Sequence, residues 1–190
     1  MSRFFWVRHG PTHARAMVGW TNLPADLSDT AQLARLSAHL PSDALVISSD
    51  LIRAHDTATA IQGTRVRLPD DPNLREIHFG AWEMVDFNTV SEPDRLRAFW
   101  DTPGDLAAPD GESWNGASAR VTTAVARLRA GHPGRDIIAV AHMGAILTQV
   151  QTALDISAYQ AFAQRIDNLS VTELRHDGAR WHAARINYLP

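Results

Sequence analysis

Neither cysteine nor lysine occurs in this chain of 190 residues. Without cysteine there is no disulfide, no cysteine-based zinc site and no thiolate nucleophile. Without lysine there is no Walker A loop, no Schiff base and no lysine general base. Arginine supplies all 18 basic residues, so only arginines at special positions count as candidates for anion binding. Long apolar runs are missing too: none reaches the roughly 18 residues of a membrane span. No basic segment followed by an apolar one precedes the first strand, and a soluble, cytoplasmic protein is expected. The charge imbalance is small, −3 at pH 7. It gives no reason to expect a nucleic acid or a membrane as partner.

What is present is a patterned chain, 45% hydrophobic, long enough for one domain spanning residues 1–190 with an embedded lid. Short apolar runs alternate with helical patterns. Phe4–Val7, Ala44–Ile47, Val66–Leu68 and Asp136–Ala141 read as strands. Thr30–Leu40 (capped by Ser28 or Asp29), Leu51–Ile61, Glu112–Ala130, Gly144–Leu154 and Ser157–Ala163 read as helices. Leu169–Leu174 and Arg180–Ile186 flank Asp177-Gly178, a hairpin signal. This order predicts an α/β protein, a three-layer α/β/α sandwich with a mostly parallel central sheet. Residues 73–115 are the least regular, with a short helix over Pro93–Trp100. A connection that long is expected to be functional, and its part from about 84 to 115 is the expected lid.

Polar clusters follow the strand ends: Arg8-His9-Gly10, Ser48 to Arg53, and His142-Met143-Gly144. In an open sheet, strands pointing the same way converge on one crevice. Arg8, His9, Arg53 and His142 would meet there, with Glu76 from the irregular region. Two arginines and two histidines suit a phosphoryl group, because guanidinium donors match phosphate oxygens. Phosphoryl transfer needs mostly positioning and charge stabilisation. An imidazole in line with phosphorus can be the nucleophile, and a carboxyl group can protonate the leaving alkoxide and then activate water. Glu83 rivals Glu76 for that role. His9 and His13 are four apart, but Pro11 between them argues against a helical metal pair. Trp20, Trp100 and Trp114 are candidates for an aromatic substrate wall, whereas Trp82 reads as packing.

Five ordered segments resemble the histidine phosphatase superfamily, the phosphoglycerate-mutase-like fold. They are Val7-Arg8-His9-Gly10-Pro11-Thr12, Ser48 to Ala58, Leu74 to Glu83, Pro109 to Ser113, and Val140-Ala141-His142-Met143-Gly144. The resemblance implies that His9 is the phosphorylated nucleophile. It further implies that Arg8, Arg53 and His142 hold the phosphoryl oxygens, that Glu76 donates the proton, and that no metal or cofactor takes part. Thr12 and Gly10 are the candidate substrate-binding residues. The chain departs from the commoner family pattern at Pro11, Ala14, Ala16, Met84 and Met143, which bear on the acceptor side of the pocket.

The activity expected is that of a phosphomonoesterase, a histidine-type acid or sugar phosphatase. It would hydrolyse a small phosphorylated metabolite through a phosphohistidine intermediate. Phosphoglycerate-mutase-type transfer fits less well, since the chain is short and offers no lysine on the acceptor side. Arg15, Arg75, Arg95 and Arg97 would have to serve instead. An α-ribazole-phosphate phosphatase, a non-catalytic phosphate-binding protein and a metal-dependent hydrolase are the other readings. The sequence sets no oligomeric state.

Overall fold

The computed structural model describes residues 2–190. Its centre is a five-stranded sheet in the order β2-β3-β1-β4-β5, made of β1 (Ser2–Arg8), β2 (Leu45–Ser48), β3 (Ile137–Ala141), β4 (Val171–His176) and β5 (Trp181–Tyr188). Helices α1 (Thr30–His39), α2 (Ile52–Gln62), α3 (Pro93–Asp101), α4 (Trp114–Gly131), α5 (Met143–Leu154) and α6 (Ala158–Phe162) complete the framework. Strand residues alternate between two cores, as a pleated strand must. Phe4, Trp6, Ile137 and Ala139 pack with α4 and α5. Phe5, Val7, Ile138 and Val140 pack with α1 and α2 on the opposite face. A strand covered on both faces has no polar side, so β1 and β3 read as continuous apolar runs.

The expected mostly parallel sheet is found in part, since the sheet is mixed, and one expected strand is corrected. β1 and β2 each pair with β3 in parallel, but β4 lies antiparallel to β1, and β5 to β4. Segment 66–68 is not a full strand but a single bridge between Val46 and Arg67. The Val66 carbonyl and the Leu68 amide bond to Val46, but the Val66 side chain is 61% exposed and gains little burial there, and Pro69 cannot donate a further ladder bond. The hairpin forms at its predicted place. The Asp177 side chain accepts from the amides of Ala179 and Arg180, and Gly178 takes φ +115°.

Local chemistry accounts for three of the helix starts. The Asp29 carboxylate accepts from the Gln32 amide at 2.9 Å, and the Ser113 hydroxyl from the Gly116 amide at 3.1 Å, each satisfying a donor that a helix start leaves free. Ser157 and Gln160 form a reciprocal cap on α6. Helix α5 begins directly after β3, and His142 occupies its cap position.

The irregular segment between α2 and α4 is packed. Val90, Leu96, Phe99 and Ala108 are buried in the same core as α4 and α5. Its two ends cross at glycines. Gly80 has φ +50°, and a Cβ there would stand 1.9 Å from the Pro109 carbonyl oxygen. Across the crossing the Ala81 amide donates to Pro109 and the Glu112 amide to His78.

Candidate active site

His9 lies one residue beyond β1, and its amide donates to the Ala141 carbonyl at 3.1 Å. The end of β3 thereby fixes the His9 backbone beside His142. Asn168 Nδ2 donates to the His9 carbonyl at 2.7 Å. The Gly10 amide donates to Thr57 Oγ1 at 3.0 Å, and that hydroxyl donates to the Arg53 carbonyl at 2.6 Å. These bonds join the turn after β1 to the first turns of α2. A Cβ on Gly10 would meet Leu27 Cδ2 at 2.7 Å and the Asp26 carbonyl oxygen at 3.0 Å, so a larger residue here would have to displace Leu27.

The ring of His9 is oriented from both sides. Its Nδ1 lies 2.6 Å from the Gly10 carbonyl oxygen, which assigns the proton to Nδ1 and a lone pair to Nε2. Arg53 Nε donates to Nε2 at 3.2 Å. Burial, followed by the nearby Arg53, pushes the His9 pKa down to about 3, with the Gly10 bond opposing and Arg8 adding to the fall. The imidazole is therefore neutral at neutral pH, the form in which nitrogen can attack.

His142 is fully buried, with its ring centroid 5.0 Å from that of His9. Burial, then the neighbouring His9 and Arg53, holds its pKa well below the ordinary range. Neither of its ring nitrogens has a hydrogen-bond partner, nor does Arg8 Nε. Buried polar atoms without partners are rare and call for an explanation. Arg8 uses Nη1 on the Ile166 carbonyl at 2.6 Å. Arg53 uses Nη1 on the Thr21 carbonyl at 2.9 Å and Nη2 on the Gly19 carbonyl at 2.6 Å.

Two acids lie close by, and their surroundings separate them. Glu76 is buried, and its carboxyl oxygens accept from the amides of Ile77 (2.9 Å), Gly144 (3.1 Å) and Ala145 (3.3 Å). Two of those amides belong to the first turn of α5, where anions are stabilised. Its carbonyl is held by the Trp20 indole (2.8 Å) and by Arg120 (3.2 Å). Glu83 instead accepts from the amides of Trp20, Thr21 and Phe79 and from the Thr21 hydroxyl. Burial alone would raise its pKa, but these bonds, the Thr21 hydroxyl first, outweigh it and bring it below the ordinary value. Glu83 fastens the 19–21 loop whose carbonyls hold Arg53.

A cavity of about 290 Å³ opens over this group, lined on its polar side by Arg8, His9, Thr12, Arg53 and Glu76. Five of the seven candidates from the sequence thus share one cavity. His142 lies behind it against His9. Gly10 does not line it: its amide and carbonyl serve Thr57 and His9. Trp100 lines the cavity, whereas Trp114 is buried with its indole donating to Gln151, and Trp20 supports Glu76 from outside. Asn168, Arg120 and Phe162 were not singled out in the sequence. Thr57 was within sight, four residues after Arg53 on a helix. Among the described residues no group of three or more His, Asp and Glu is placed to hold a metal ion. No described helix is long and apolar enough to cross a membrane.

Comparison with known proteins identifies the family. The bifunctional protein Rv2228c of Mycobacterium tuberculosis is 29% identical over 195 residues, which cover 94% of this chain and 52% of that protein. This chain therefore spans about half the length of the first curated relatives it matches. Phosphoglycerate mutase-like protein 4 of Arabidopsis thaliana is 31% identical over 187 residues, 92% of this chain and 80% of its own. The solved mycobacterial glucosyl-3-phosphoglycerate phosphatase superposes with a TM-score of 0.85 at 26% identity, over 99% of each chain. A model of the histidine phosphatase superfamily, branch 1, matches residues 4–189, and the chain belongs to that superfamily.

Proposed function

We propose that the protein is a phosphomonoesterase that hydrolyses a small phosphorylated metabolite through a phosphohistidine at His9. The observation that carries this is the state of the His9 ring: proton fixed on Nδ1, lone pair on Nε2, neutral, and beside Arg53 in a cavity that also holds Arg8 and Glu76. The unpartnered Nε–H of Arg8 and the single ring N–H of the neutral His142 add donors that a phosphoryl group would use.

In this reading Nε2 of His9 attacks phosphorus as the bond from phosphorus to the alcohol oxygen breaks. Glu76 acts as the acid and gives a proton to the departing oxygen, so the alcohol leaves neutral. The amides of Ile77, Gly144 and Ala145 hold the carboxylate that results. Glu76 then takes a proton from water as the water oxygen attacks phosphorus. The bond from nitrogen to phosphorus breaks, inorganic phosphate departs and His9 returns to its neutral form. Arg8, Arg53 and His142 donate to the non-bridging oxygens, whose charge builds up in both transition states.

Phosphatase assays with the purified chain, combined with trapping of labelled phosphate, test this. The expected result is turnover that survives EDTA and an acid-labile, base-stable phosphoryl label, both lost in His9→Ala. Full turnover in His9→Ala would refute the nucleophile. Loss of activity to chelation, restored by zinc, would refute the metal-free scheme. Transfer between the carbons of phosphoglycerate would favour a mutase.

A further inference from the structure

The cavity has two chemically different ends. Beyond the phosphoryl end its wall is made of Met17, Val18, Phe79, Trp100, Met143 and Phe162. The aromatic part is a cross-braced cluster. Trp100 meets Phe162 edge-on at 5.0 Å and Phe79 at 5.8 Å, and Trp114 backs Phe162 at 4.4 Å.

The cations nearby that could meet a second anionic group are engaged elsewhere. Arg75 is paired with Asp50 through two bonds and lies over the Trp20 ring at 4.6 Å. Arg95 donates to the Ala107 carbonyl and to Glu92, and Arg97 donates to Asp94. His13 is paired with Asp26. Arg15 is exposed and does not line the cavity. A carboxylate or second phosphate carried into this wall would lose water without finding a partner.

We infer that the leaving group is an uncharged, apolar alcohol or phenol, carrying a ring or a branched chain, seated against Phe79, Trp100 and Phe162. At about 290 Å³ the whole cavity lies at the lower end of small-ligand sites, so the leaving group is small. This inference rests on the hydrolytic reading of His9. It adds which esters that chemistry selects.

The test compares kcat/KM of the full chain for benzyl phosphate, phosphoglycerate and glucose phosphate, all of which release alkoxides of similar basicity. Benzyl phosphate is expected to lead phosphoglycerate by about 30-fold or more, the effect of burying one ring against apolar surface. Trp100→Leu is expected to cut that ratio by about tenfold while inhibition by inorganic phosphate stays the same. Ala16→Arg, which adds a cation to the wall, should shift the ratio toward phosphoglycerate. Equal or better turnover of phosphoglycerate or glucose phosphate by the unaltered chain would overturn the inference and leave the phosphatase reading standing. No turnover of any ester, with no label on His9, would instead overturn the phosphatase reading.

Discussion

Acid titration of stability probes the buried state of His9 without any substrate. The ring has a folded pKa of about 3 against an ordinary value of 6.5. Between those values the unfolded chain binds a proton at His9 and the native chain does not. Stability is therefore undiminished above 6.5, falls as pH drops below it, and stops falling on this account only near 3. At about pH 5 the difference is near one and a half units, or about 2 kcal/mol at roughly 1.4 kcal/mol per unit. Urea unfolding in phosphate-free buffer, at about pH 7.5 and about pH 5, would measure it in the natural chain and in His9→Leu. The substitution alters packing equally at both pH values, and burial, the main cause, still holds the His142 pKa well down, so the difference between the two losses reports chiefly His9. The natural chain should lose about 2 kcal/mol more than the variant. Equal losses, or a His9 ring titrating near its ordinary value in the folded protein by NMR, would refute the reasoning.

Three further outcomes follow from geometry. Glu83→Gln removes the charge that anchors the 19–21 loop; as Arg53 loses its carbonyl supports, KM for a phosphomonoester should rise by about tenfold with kcat changed less, measured by steady-state kinetics. Gly80→Ala forces a Cβ into the Pro109 carbonyl at a positive φ; a loss of about 3 kcal/mol, read as a drop in Tm of roughly 6–12 °C, is expected. Ser113→Ala deletes the cap of α4 and should cost about 1 kcal/mol in urea unfolding without changing KM.

Much of the architecture was readable because burial on both faces leaves a mark on composition. Phe4–Val7 and Ile137–Ala141 contain no polar residue, and each ends at a histidine or an Arg-His pair. The hairpin was readable because Asp177-Gly178 carries its own turn chemistry. Val66 misled, since an apolar residue beside Arg67 looks like a strand whether or not it is covered. The direction of β4 was hidden as well: nothing in Val171–His176 says whether it enters the sheet up or down. In the site, Arg8, His9, Arg53 and His142 stood out as polar groups at the ends of apolar segments. Asn168 did not, because its partner is the backbone of His9, 159 positions away. Of the aromatic wall, Trp100 was among the candidates read from the sequence, but Phe162 was not, and Trp114 was a candidate that proved to be core. An aromatic residue on an amphipathic helix looks identical whether it faces a core or a ligand.

The backbone crossing at Gly80 and Gly111 has a consequence for how such a chain diversifies. It closes the excursion from residue 81 to residue 110 into a clasped loop, with the Ala81 and Glu112 amides bonded across its neck. Glu76 and the Arg120 bonds that steady its strand of loop lie outside the clasp. Trp100 lies inside it. Glu76 and Trp100 are thus carried on different pieces of chain, tied together by Glu83, which lies inside the clasp and fastens the 19–21 loop behind Arg53. Changes at Trp100 and its exposed neighbours, with Glu83 and the buried Val90, Leu96 and Phe99 kept, would on the proposed reading alter the leaving group while leaving the surroundings of His9 as they are.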